Sequence, residues 1–99
     1  MVKHIQVIGK NMIYKDKEYK DYIIRTFDES IDPINLMWHR DKCDRIIKAI
    51  NNTDWLIQLD NEYPKSFNEE TFIPKETYHR LIKGKQECKI KIINIETTK

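Results

Sequence analysis

The feature that most constrains the fold of this chain is a series of short apolar runs, each rich in β-branched and aromatic residues. Polar turns separate the runs, as at Gly9-Lys10-Asn11 and Asn61-Glu62-Tyr63-Pro64. Branched and aromatic side chains fit a pleated, half-buried surface, and the turn residues bend the chain between strands. Many short strands joined by turns predict an all-β barrel or sandwich.

One segment has two interpretations. Cys43, Ile46, Ile47 and Ile50 have helical spacing behind Asp41, a residue that can cap a helix, which predicts a helix over 42–51. The same residues also form an apolar run over 45–50 that ends at a pair of asparagines, as a strand would. Because the rest of the chain reads as strands, we favour the strand, and the predicted fold has room for at most one short helix. The predicted strands are 2–9, 12–14, 19–27, 45–50, 54–60, 71–73, 78–82 and 88–95.

Length, charge and cysteine spacing narrow the class of protein. Ninety-nine residues predict one domain over 1–99. The net charge of +2, with lysines interspersed among acids, disfavours a nucleic-acid partner. Cys43 and Cys88 have neither metal-binding nor disulfide spacing, and no run is long and apolar enough for a signal peptide or a membrane span. We therefore expect a cytoplasmic protein with free thiols that does not enter the membrane.

The residues with the clearest chemistry are two histidines and an aspartate. His39 and Asp41 are two positions apart, so a strand would place both on one face. His79 follows Pro74 at the start of a later predicted strand. Two imidazoles and a carboxylate in one cavity are the ligand set of many mononuclear metal sites. The sequence therefore predicts that these three residues converge.

The same region resembles the two motifs of the cupin superfamily. The first motif is His-x-His, three or four residues, Glu, six residues and Gly, and the second is Pro-x-Gly-x-x-His. His39 matches the first ligand of the family, and Pro74 and His79 match the second motif. The remaining motif positions differ, and they hold Asp41 for histidine, Arg45 for glutamate, Asn52 for glycine and Glu76 for glycine.

This resemblance implies a small cupin-like jelly roll, also called a double-stranded β-helix barrel. It covers about residues 34–95, and 1–27 would form additional N-terminal strands. It also implies one divalent metal, Fe, Mn, Zn or Ni, held by His39, Asp41 and His79. A weaker similarity links the chain to small cupin-like proteins of tailed phages, which would place it in the host cytoplasm.

Arg45 opposes a simple metal site, because a guanidinium stays protonated and stands where the family has an anionic ligand. Arg45 would either pair with Asp41 or bind an anionic ligand. The first-ranked function is therefore a non-catalytic pocket for a small polar or anionic molecule. Its predicted residues are His39, Asp41, Arg45, His79, Trp55 and Tyr78.

Two other functions stay open. One is a metal-dependent enzyme at His39, Asp41 and His79, for which the sequence identifies neither the reaction nor a catalytic residue. The other is a protein-binding or homodimerising module that pairs through the edge of the N-terminal strands, as cupin-like chains often do.

Overall fold

The computed structural model describes the backbone of residues 2–8 and 11–95, and the side chains from Tyr14 to Ile95. Within these ranges there are nine strands and one 3₁₀ helix, Pro33–Leu36. The strands are β1 Val2–Ile8, β2 Asn11–Glu18, β3 Ile23–Phe27, β4 Asp44–Ala49, β5 Leu56–Leu59, β6 Lys65–Ser66, β7 Thr71–Ile73, β8 His79–Ile82 and β9 Cys88–Ile95. The predicted all-β class is confirmed. The segment for which a helix was considered, 42–51, contains strand β4, and the one 3₁₀ helix lies at 33–36 instead.

The strands form two antiparallel sheets. The larger has the order β1-β2-β3-β9-β4-β7, and the smaller has the order β6-β5-β8. Strand β9 comes last in the chain but lies inside the larger sheet, between β3 and β4. From β4 onward the chain crosses between the two sheets four times, and only β5 and β6 follow each other in the same sheet. This is the winding of a jelly roll.

The core lies between the two sheets, because the strands alternate apolar inward-facing and polar outward-facing residues. Trp55, Ile57 and Phe67 are completely buried. Burial of each such side chain stabilises the fold by roughly 2–3 kcal/mol. Trp55 also donates its indole Nε1–H to the Gln86 carbonyl at 2.7 Å, so the polar atom of the ring is satisfied.

The sequence also predicts a polar turn at 16–18 and hairpin turns at 51–52 and 83–86, and these three predictions are wrong. Residues 16–18, expected to be a turn, lie inside β2, because Asp16 faces the interior and is paired there. The turn falls instead at 19–22, where the Tyr19 N–H donates to the Tyr22 carbonyl at 2.9 Å, so β3 begins at Ile23. Residues 51–52 and 83–86 do not close hairpins, because each segment connects strands that lie in different sheets.

Two features of the fold concern the predictions about the membrane and about a second chain. No helix within the described residues is long and apolar enough to cross a membrane. β1 forms one edge of the larger sheet, which is the position that edge pairing with a second chain would require. Dimerisation remains a prediction.

Candidate metal centre

Three backbone hydrogen bonds bring the cupin-like motifs together. His39 and His79 form an isolated antiparallel bridge, with N–H···O distances of 3.0 and 2.9 Å in the two directions. Two residues further along, the Asp41 carbonyl accepts a hydrogen bond from the Glu76 N–H at 2.7 Å. The segment 39–41 therefore runs alongside 76–79, and the predicted convergence of His39, Asp41 and His79 is found.

The three side chains offer ligand atoms that all lie within 4.8 Å of one another. Asp41 lies between the imidazoles, with Oδ2 3.3 Å from His79 Nε2 and Oδ1 4.0 Å from His39 Nε2. The two imidazole centroids are 4.3 Å apart. One small cation between these groups could contact all three after only modest side-chain movement.

Each imidazole is oriented by a backbone carbonyl two residues before it. His39 Nδ1 lies 3.3 Å from the Met37 oxygen, and His79 Nδ1 lies 2.8 Å from the Thr77 oxygen. Because a carbonyl only accepts, Nδ1 carries a proton in each ring, and Nε2 is the nitrogen that faces Asp41. This is the arrangement that orients histidine ligands in metal sites.

Electrostatics keep two of these groups, His39 and Asp41, in the protonation states that a metal needs. Burial, followed by the neighbouring His79, lowers the pKa of His39 below its ordinary value. Burial alone would raise the pKa of Asp41, but contact with His79 and the charge of Arg45 outweigh it and lower that pKa. At neutral pH, Asp41 is therefore an anion and His39 a neutral base.

The sequence left open whether Arg45 pairs with Asp41 or faces a ligand. In the structure Arg45 contacts Asp41 and also lines the cavity. Its Nη1 lies 3.4 Å from Asp41 Oδ2. The contact lacks hydrogen-bond alignment. Among the described residues, Asp41 Oδ2 and Arg45 Nε are both buried without a hydrogen-bond partner. A buried charged atom without a partner is costly, so both atoms are suited to contact a ligand.

A cavity of about 480 Å³ opens beside these residues. Its polar lining includes Arg25, a residue that the sequence analysis missed. Arg25 forms a two-point ion pair with the buried Asp16, with Nε–Oδ1 and Nη2–Oδ2 distances of 2.7 and 2.8 Å, and its guanidinium lies 3.8 Å from the Tyr14 ring centroid. Burial opposes the charge of Arg25, but this pair holds the pKa of Arg25 above its ordinary value. The other lining residues are Tyr14, Phe27, Ile34, Asn35, Leu36, Met37, His39, Asp41, Arg45 and Leu81.

Two predicted ligand-binding residues lie outside this lining. Trp55 is fully buried in the core, and Tyr78 is exposed with the Arg40 guanidinium 5.2 Å from its ring centroid. His39, Asp41 and Arg45 line the cavity, and His79 lies beneath it in a smaller space of about 50 Å³. The structure therefore brings together four of the six predicted residues.

Structural comparison shows that the chain has the cupin fold. It superposes on Fe(II)-HppE, crystallised with the alternative substrate (S)-1-HPP, with a TM-score of 0.70 and 12% identity over 96% of this chain and 55% of that one. It also matches a structure from work on the DMSP lyases RdDddP and RnDddQII (TM-score 0.64, 12% identity, 77% and 38% coverage) and KdgF from Halomonas sp. (0.59, 14%, 96% and 90%). The chain thus spans about half of the HppE chain and a smaller share of the lyase chain.

No protein-family model matches the chain, and no curated protein sequence matches it significantly. Identities of 12–14% show a shared fold and nothing finer. The function must therefore be argued from the site itself.

Proposed function

We propose that His39, Asp41 and His79 bind one divalent metal ion, and that the adjoining cavity holds a small anionic molecule beside it. The observation that carries the proposal is Asp41 Oδ2, a buried carboxylate oxygen that lies 3.3 Å from His79 Nε2 and has no aligned hydrogen-bond partner among the described residues. The donor set fits Fe, Mn, Zn or Ni, because two imidazoles and one carboxylate leave coordination positions for a ligand. A bound ion would act as a Lewis acid on an oxygen atom of that ligand.

The charges of the cavity favour an anion. The formal charges of Arg25 and Arg45 are balanced by those of Asp16 and Asp41. A divalent ion bound to Asp41 would add positive charge beyond what Asp16 and Asp41 balance. It would also loosen the contact between Asp41 and Arg45. An anionic group could then accept from Arg45 Nε, which is buried without a partner. Apolar lining residues such as Leu36 and Leu81 would contact the rest of the ligand.

Titration of the metal-free protein with Mn²⁺, Fe²⁺, Zn²⁺ or Ni²⁺ tests the metal site. We expect one ion per chain and binding at least about 100-fold weaker in Asp41→Asn, because the amide keeps the shape of the side chain and loses its charge. Asp60→Asn, an exposed position away from the cavity, is the matched control. Unchanged affinity in Asp41→Asn would refute the assignment.

A second candidate function is a metal-free anion receptor, which was the first-ranked interpretation of the sequence. The specific observation in its favour is the contact of Arg45 with Asp41, which neutralises the carboxylate without a metal. The two candidates differ in one measurement. Binding of inorganic phosphate or acetate that persists in excess chelator and is lost in Arg45→Gln supports the receptor, whereas binding that requires the metal supports the metal centre.

A further inference from the structure

The outer face of the larger sheet, opposite the cavity, carries a grid of lysines. In β9 the buried residues Ile90 and Ile92 alternate with Lys89 and Lys91 on the outer face. The register continues this face across the sheet: Lys17 pairs with Ile24, Ile24 with Lys91, and Lys91 with Lys48. We refer to five residues as the lysine face: Lys15, Lys17, Lys48, Lys89 and Lys91.

The five lysines of this face form no ion pair among the described residues. None of its five ammonium groups lies within 4.0 Å of a described carboxylate oxygen. Asp44 points to the same side but lies at the far end of β4, where it accepts a hydrogen bond from the Lys75 N–H. Glu70 borders the groove beside Lys48 without an ion pair to it. The net charge of +2 therefore conceals a strongly basic surface.

The arrangement costs folding stability. Lys48 and Lys91 are directly opposed on neighbouring strands, with their side chains on the same face. Like charges in such a pair are destabilising, by an amount on the order of 0.2–1 kcal/mol. Alternating lysines and acids would keep the surface equally polar without that cost. A placement of residues that lowers folding stability points to a role in binding.

We propose that the lysine face binds the phosphates of a single-stranded nucleic acid. Lysines two residues apart on one strand are about 7 Å apart, and neighbouring strands add rows at intervals of about 4.8 Å, so several phosphates can be contacted together. Tyr19 and Tyr22 stack at the edge of the grid, with ring centroids 4.8 Å apart and Lys91 Nζ 4.7 Å from the Tyr22 ring. Cations beside exposed aromatic rings suit a single strand. The face of a sheet lacks the projecting helix or ribbon that enters a duplex groove.

The test is fluorescence anisotropy with a labelled oligothymidylate of about 20 nucleotides, long enough for typical single-strand sites. We expect the wild-type chain to bind, with affinity that falls as salt rises. Lys48→Gln/Lys91→Gln should weaken binding at least about tenfold and reduce the salt slope by about 1.4, since two phosphate contacts are lost. Lys75→Gln/Lys85→Gln removes the same charge from exposed sites elsewhere and should bind nearly as the wild type does.

Urea unfolding supplies a second readout. The Lys48→Gln/Lys91→Gln protein should be as stable as the wild type or more stable, because the opposed charges are gone. Three outcomes would overturn the proposal: no binding by the wild type at low salt, equal losses in the two double variants, or tighter binding of polyglutamate than of the oligonucleotide. The last outcome would identify an acidic polypeptide as the partner.

Discussion

Arg45 Nη1 lies 3.4 Å from Oδ2 of Asp41, at the one carboxylate between the two histidines. The guanidinium and a metal ion would therefore compete for the same oxygen. The cavity beside Arg45 offers a place for an anion to compensate it when a metal takes Asp41. Metal occupancy and anion binding should accordingly reinforce each other.

Replacement of Arg45 by glutamine should tighten metal binding. Removal of a cation this close to the carboxylate should increase affinity for Mn²⁺ or Zn²⁺ by about tenfold, equivalent to about 1.4 kcal/mol. Isothermal titration calorimetry measures the change, with Arg40→Gln as a control for an exposed arginine nearby. Weaker binding by a normally folded Arg45→Gln protein would show instead that Arg45 holds Asp41 in place for the metal.

The buried pair Asp16–Arg25 should be more sensitive to loss of one partner than to loss of both. Asp16→Asn leaves a guanidinium that is 16% exposed without its charge partner, and it should reduce the free energy of unfolding by about 3 kcal/mol. Asp16→Leu/Arg25→Met should lose less, because no charge is left buried. Urea denaturation of both variants tests this, and a larger loss in the double variant would contradict it.

The folded chain should be more stable with glycine than with alanine at position 76. Its φ of 60° lies in the left-handed region, and this is the position at which the cupin motif has glycine. Glu76→Gly should be about 1 kcal/mol more stable than Glu76→Ala, since both lose the exposed contact with Arg40 and only glycine relieves the backbone. Thermal unfolding of the pair isolates the backbone effect. Equal melting temperatures would mean that the turn carries no strain.

Cys88 should make stability fall in alkaline solution. Burial raises the pKa of the Cys88 thiol from 9.0 to about 11, so the unfolded chain loses this proton at lower pH than the folded chain. The contribution is complete below pH 9.0 and is lost as the pH rises toward 11. Cys88→Ala should therefore show a shallower decline, by roughly 1 kcal/mol, in urea unfolding between these limits.

Thiol labelling checks the same assignment at neutral pH. Cys43 is partly exposed and Cys88 is buried. A thiol reagent should modify Cys43 readily and Cys88 only after unfolding, because the thiolate is the reactive form. Equal labelling rates in the folded protein would contradict both the burial and the raised pKa of Cys88.

Local sequence identified the fold class and most of the site. Strand alternation and the cupin-like spacing led to His39, Asp41 and His79, and the structure brings these residues together. Arg45 was also located correctly at the same aspartate. These predictions succeeded because each depended on residues within one short motif or on the pairing that the motif implies.

The sequence alone does not show that Asp16 is the partner of Arg25, because this depends on how the strands pair. Arg25 falls in the inward phase of β3, between Ile23 and Phe27, which was a usable signal of a buried charge. Asp16 sits in a run of charged residues that resembles a turn. Only the β2–β3 register, which pairs Asp16 with Arg25, shows that both face inward. Charge alone likewise concealed the lysine face, because net charge does not record which strand positions share a side.

Membership of a phage-type group and the cytoplasmic location stay predictions, as does the dimer. Each concerns the surroundings of the protein rather than its fold. The metal, by contrast, can be tested directly on the purified chain.

The position of β9 has a consequence for biosynthesis. This strand separates β3 from β4 in the larger sheet, so the sheet has no continuous hydrogen-bonded path until residues 88–95 have left the ribosome. Before then, the nascent chain holds two unjoined groups of strands with exposed edges, a state prone to mispairing. Release of the last strand would close the sheet, bury Ile90 and Ile92, and complete the wall that supports Arg25 and Arg45. A ribosome-stalled chain that ends before residue 88 should therefore be unable to bind a ligand at this site.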